Sequence, residues 1–156
     1  MGWKTIAAIA LAGASITALY VKNKVDRMTK QFENIQIIPV GFRGLKLKWN
    51  NGFPLLEFKV DFKLTNPQPE PFDLNGFIAK LQRIIIYDGK GKPLGVSTPN
   101  LGRLTIPGNG TSTLPNVPFT VDATQLLKNI VDYKNINLSN FKFEGIISIL
   151  GTEHKI

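Results

Sequence analysis

From Thr5 to Val21 the chain carries no charge: TIAAIALAGASITALYV, seventeen residues. No other feature constrains the fold as much, because such a run must leave water, into lipid or into protein. As a helix it spans about 26 Å, slightly under a hydrocarbon core of roughly 30 Å. Trp3 and Tyr20 bracket it, where amphipathic rings favour the two interfaces. Lys4 precedes it, and Lys22, Lys24, Arg27 and Lys30 follow, long cations that can snorkel to headgroups. A buried core helix would show a polar face, and this run has none. A cleaved signal peptide is the competing reading. Its usual apolar core is shorter, and at the best cleavage candidate, Ala18, Ile16 fills the position that wants a small residue. The run predicts a single transmembrane helix. Residues 1–34 then form anchor and basic stalk, and residues 35–156 a separate domain. Ala10, Ala14 and Ala18 recur every fourth position, as do Ala8 and Ala12, which permits close approach of a second helix and a homo-oligomer.

Charge supports that division. The 156 residues carry a formal charge of +8. Residues 1–30 hold five Lys/Arg and one acid, Asp26, while residues 31–156 hold fourteen and ten. The density therefore sits just after the apolar run, where it can meet anionic headgroups of a lipid bilayer. By the positive-inside rule the C-terminal domain belongs on the cytoplasmic side. A nucleic-acid partner would call for a basic stripe interleaved with aromatics on the folded domain, and none is legible. The chain has no Cys and one His, His154. Disulfides, Cys-ligated zinc, a thiol nucleophile and a lipidated Cys in this chain are excluded.

After residue 35 the pattern is strand-like. Leu56, Phe58, Val60, Phe62 and Leu64 alternate with Glu57, Lys59, Asp61 and Lys63, which predicts a strand with one buried and one wet face. Leu45, Leu47 and Trp49 alternate with Gly44, Lys46 and Lys48, and Asn50-Asn51-Gly52 between the two runs is a hairpin signal. Three prolines in Asn66–Pro71 mark an extended crossing segment. Ile78–Asp88, Pro93–Val96, Leu101–Ile106, Thr111–Val121 and Phe141–Leu150 read as further strands, the fourth at an edge because of Pro115 and Pro118. Asp88–Lys92 and Pro107–Gly110 read as turns. Asp122 to Gln125 has the form of a capping box opening a short helix through Ile130 to Tyr133. The sum is an antiparallel β-sandwich with one short late helix.

An alternating strand ending Leu64-Thr65-Asn66-Pro67, then Pro71-Phe72-Asp73-Leu74-Asn75-Gly76-Phe77, Leu104-Thr105-Ile106-Pro107 and VPFTVDATQLL, resembles late embryogenesis abundant type 2 proteins, the WHy domain, over roughly residues 36–150. Gln68 stands where that family usually has a further Asn. The resemblance implies an immunoglobulin- or fibronectin-like sandwich without a catalytic centre, associated with stress protection or membrane-anchored roles. Many bacterial relatives resemble lipoproteins; this chain offers a helix instead. Asn66 and Pro67 are then structural, the Asn66 amide satisfying backbone groups at the strand end.

Two functions follow as expectations. One is a membrane-anchored, non-catalytic binding or scaffolding module. The other is a structural protein of a larger assembly, such as a membrane-containing virus particle, bridging bilayer and protein shell. Partners would be the bilayer and other proteins, with no cofactor, metal or small-molecule substrate. An enzyme would have to use Glu57/Asp61 or Glu70/Asp73, and no base, nucleophile and orienting group converge on either. Asn109-Gly-Thr111 and Asn137-Leu-Ser139 match a glycosylation acceptor but read as turns, and His154 reads as a residue of a solvated tail.

Overall fold

The computed structural model describes residues 19–75, 79–127 and 138–156. Residues 19–33 are helical (α1). The chain is then mainly β, with strands β1 (Gln36–Asn50), β2 (Phe53–Asn66), β3 (Phe72–Asn75), β4 (Ala79–Tyr87), β5 (Pro93–Ser97), β6 (Arg103–Ile106) and β7 (Gly110–Asp122), a short helix α2 (Ala123–Leu127), and strands β8 (Lys142–Ile149) and β9 (Thr152–Lys155). All pairings are antiparallel. Seven strands form one sheet in the order β1-β2-β7-β5-β4-β8-β9, and β3 and β6 pair separately.

The alternation in β2 sets the core. Leu56, Phe58, Val60, Phe62 and Leu64 are all buried. Across the sheet they meet Phe119 of β7, and beyond it Phe143 of β8. The Phe62 and Phe143 ring centroids lie 5.1 Å apart, Phe119 and Phe143 6.0 Å, and Phe58 and Phe119 5.7 Å. In a flat sheet β2 and β8 would be four strand spacings apart, about 19 Å. The sheet therefore turns back on itself. The turn is at β5–β7, which pair only at Gly95 and Val121. A Cβ on Gly95 would stand 2.6 Å from Val121 Cγ1 and 2.9 Å from the Thr120 carbonyl oxygen, so the strands approach at a distance only glycine permits.

Several expectations need correction. Strict alternation puts Asp61 on the wet face, yet it is buried. Register shifts at Pro39/Gly41 in β1 and Val60/Phe62 against β7 swing it out of strict alternation. Leu47 and Trp49 share a face with buried Leu56, yet both are exposed: they lie on the edge strand β1, and Trp49 pairs with Pro54, beyond the end of the β2–β7 pairing at Leu55. The strand holding Pro115 and Pro118 is interior by order, between β2 and β5. Since β5 meets it at Val121 alone, its second side has no strand partner at either proline among the described residues. Phe72–Asn75, which the sequence pattern assigns to no strand, forms β3. The tail forms β9: Leu150 and Gly151, with φ of 49° and 84°, make a tight two-residue turn, and His154 pairs opposite Ile147, half-buried. Asp122 accepts a hydrogen bond from the Thr124 amide at 2.8 Å, opening α2. The expected continuation of α2 to Tyr133, and the first residue of the strand expected over Ile78–Asp88, lie outside the described residues.

Candidate functional site

The expected anchor residues divide. Trp3, Lys4 and the apolar run as far as Ala18 lie outside the described residues. Among the described residues, no helix is long and apolar enough to cross a membrane. Leu19, Tyr20 and Val21 open α1 exposed to solvent. Val25, Met28 and Phe32 follow at helical spacing and turn inward; Met28 and Phe32 are buried in the core with Ile35, and Val25 packs against it. Phe32 meets Phe72 of β3 with centroids 6.0 Å apart. The stalk is thus part of the core in its second half. Lys22, Arg27 and Lys30 are exposed, and Lys24 is half-buried. Arg27 and Lys30 stand on the side of the helix away from Val25, Met28 and Phe32.

Between α1 and the β8–β9 turn lies an open groove of about 1110 Å³. Val21, Val25, Ile149 and Leu150 supply its apolar wall, and Thr29 and His154 line it too. The Thr29 hydroxyl donates to the Val25 carbonyl at 2.9 Å. Among the described residues, no group of three His, Asp or Glu side chains could hold a metal ion.

Three of the four buried polar residues, Asn66, Asp61 and Asp88, bind backbone groups, while the Ser97 hydroxyl has no hydrogen-bond partner among the described residues. Asn66 is 1% exposed. Its Nδ2 donates to the Glu70 carbonyl at 2.7 Å and the Ile106 carbonyl at 3.5 Å, and its Oδ1 accepts from the Gln68 amide at 3.0 Å. Gln68 in turn accepts from the Asn109 amide at 2.7 Å. The segment after Pro67 is thereby pinned to the Pro107–Gly110 turn, where a Cβ on Gly108 would stand 1.9 Å from the Pro69 carbonyl oxygen. Asp61 accepts from the Asn116 amide at 2.7 Å and from Arg43. Those two donors, the amide first, hold its carboxyl below the ordinary value, against the opposing effect of burial. Asp88 accepts from the amides of Lys90 and Lys92 at 2.9 and 2.8 Å, closing the turn between β4 and β5. Glu57 pairs with Lys48 at 2.8 Å, and Glu70 accepts from Gln31 at 3.3 Å. Of the carboxylates that an enzyme would have to use, Glu57 is thus held by Lys48, Asp61 by Arg43 and the Asn116 amide, and Glu70 by Gln31.

One feature escaped the sequence reading. Trp49 and Phe53 are each 69% exposed and Leu47 is 55% exposed, all at the β1–β2 hairpin end. Alternation alone marks Leu47 and Trp49 as inward. Their place on the edge strand β1, near the hairpin end, leaves them uncovered.

No family model matches the chain, and no curated protein matches it. Among solved structures, the X-ray structure of a Northeast Structural Genomics Consortium target, SoR45, is similar over 79% of this chain and 80% of its own, at 14% identity and a TM-score of 0.35. A β-glucuronidase of glycoside hydrolase family 2 is similar over 75% of this chain and 11% of its own, at 12% identity and a TM-score of 0.33.

Proposed function

We propose that this protein is a non-catalytic, membrane-anchored binding or scaffolding module. An N-terminal single-span helix carries an antiparallel β-sandwich of the late embryogenesis abundant type 2 kind. One observation carries the reading: seventeen uncharged residues, Thr5–Val21, followed at once by Lys22, Lys24, Arg27 and Lys30. The packing of Met28 and Phe32 against the sheet supports a stalk fused to the domain, so that the domain sits close to the lipid. The contact of Phe62 with Phe143 supports two facing layers. The commitment of Asn66, Asp61 and Asp88 to backbone amides and carbonyls supports a scaffold, since none of these buried groups is left to act on a substrate.

Alkaline carbonate extraction of membranes from cells expressing the full chain tests the anchor. The intact protein is expected in the pellet; release to the supernatant overturns the anchored reading. Cross-linking in native membranes then tests scaffolding. A reproducible protein neighbour supports it, and a chain without one, turning over an added metabolite, contradicts it.

A further inference from the structure

The β1–β2 hairpin ends in a ribbon that the fold does not use. From Lys46 through Phe53 eight consecutive residues are exposed. β7 stops pairing at Leu55, so the end of the ribbon, from Trp49 to Pro54, projects beyond its neighbour. Trp49 pairs with Pro54, and Asn50 with Phe53 across a turn in which Asn51 and Gly52 both have positive φ, 49° and 83°. Period-two geometry puts Leu47 and Trp49 on one face and Lys46, Lys48 and Phe53 on the other. Large apolar side chains therefore stand on both faces. From Asn34 to Leu56 the chain has Arg43, Lys46 and Lys48 and no acid. Among the described residues, acids reach this region at the hairpin's base, Glu57 against Lys48 and Asp61 against Arg43, and from the end of β7, where Asp122 stands opposite Leu55.

We infer that this tip is a docking element that enters an anionic lipid bilayer surface end-on. A rigid protein face covers one side of a ribbon and leaves the other apolar side wet, whereas a fluid interface closes around both. Trp49 has the amphipathic ring that favours the headgroup level. Lys46 and Lys48 are placed to meet anionic headgroups, each such cation strengthening attachment about fivefold. The polar apex, Asn50-Asn51-Gly52, limits entry to the headgroup region. β1 separates the tip from the α1 junction by roughly 45 Å, so this is a second lipid contact, distinct from Thr5–Val21. It does not rest on the anchor reading.

The test uses the full chain with Trp3→Phe, which leaves Trp49 as the only tryptophan. Vesicles of phosphatidylcholine and phosphatidylserine, with and without brominated acyl chains, are mixed with it. Trp49 emission is expected to shift to the blue and to be quenched by the brominated lipid, less so as salt rises. Leu47→Ser with Phe53→Ser is expected to lower the fraction quenched about tenfold, and Lys46→Gln with Lys48→Gln several-fold, with the thermal transition unchanged. Flotation of the same samples reports the anchor separately, because quenching of Trp49 requires the tip itself to touch lipid. Emission unmoved by vesicles, or moved by a single-stranded oligonucleotide and not by lipid, overturns the proposal. So does quenching that survives Leu47→Ser with Phe53→Ser.

Discussion

Asn66 and Asp61 show how a buried polar group is kept at the edge of this core. Asn66 uses donor and acceptor together, which a carboxylate cannot do at neutral pH. Asn66→Ala leaves the Gln68 amide and the Glu70 carbonyl without their partner. We expect a loss of about 2–3 kcal/mol in chemical denaturation. Asn66→Asp should be worse at neutral pH, since a carboxylate would face two carbonyl oxygens, and should recover in part on acidification as the protonated acid regains a donor. Recovery with rising pH instead would contradict the assignment. Asp61 behaves oppositely. Its folded-state pKa lies below the reference value of 3.8, so the native state holds its proton less tightly than the unfolded state does. The stability it contributes is present in full above that value and lost as pH falls through the lower folded one. Asp61→Asn should flatten the acid limb of the stability–pH curve while retaining an acceptor for the Asn116 amide. An unchanged acid limb would show that Asp61 is not linked to folding. Tyr87 mirrors this at high pH. Burial and the nearby Glu144 raise its pKa above 10.0, so its contribution is lost as pH rises through the folded value.

At the scale of elements, two joints matter. Gly95 is where the two parts of the large sheet meet, and Gly95→Ala should cost about 1–3 kcal/mol through its clash with Val121 and the Thr120 carbonyl. A neutral Gly95→Ala in thermal denaturation would mean that β5 and β7 do not approach as described. The other joint is α1. Removing residues 1–24 spares Val25, Met28, Phe32 and Ile35, and the domain should keep its cooperative transition. Removing residues 1–34 takes Met28 and Phe32 from the core. We expect a loss on the scale of a buried Phe, about 3–5 kcal/mol or more. Equal stability of the two truncations would show that α1 is only a tether. The sequence made β2 legible because from Leu56 to Leu64 every second residue is apolar and every one of those is buried. It concealed the inward turn of α1, because Met28 and Phe32 stand among Lys24, Arg27 and Lys30 and their spacing is too short to read without the sheet beside them. β9 was hidden for another reason. Leu150-Gly151 lacks the Asn-Gly signature, and only the pairing with β8 gives those four polar residues a strand's geometry.

For the whole molecule, the large-scale arrangement depends on whether the two ends of the sheet face each other. Phe62 and Phe143 should couple by about 0.5–1.5 kcal/mol in a double-mutant cycle with Leu replacements. Additive effects would mean that the layers are not in contact. Candidate-site residues were legible where charge and hydropathy marked them, as in Lys22 to Lys30. They were not legible at the hairpin tip, where exposure of Trp49 follows from the length of β7, a property of another strand. The central claim is that residues 5–21 lie in lipid while the body of the β domain, away from the β1–β2 tip, lies in water. Because the chain has no Cys, single substitutions can report this one position at a time. Ala10→Cys, Ala14→Cys, Lys90→Cys and Asn109→Cys, each in the membrane-bound full chain, are exposed to a polar maleimide with the bilayer permeabilised by a mild pore former. Positions 10 and 14 should stay unlabelled until detergent is added, while positions 90 and 109 label at once. Prompt labelling at 10 and 14 in the intact bilayer would contradict the account.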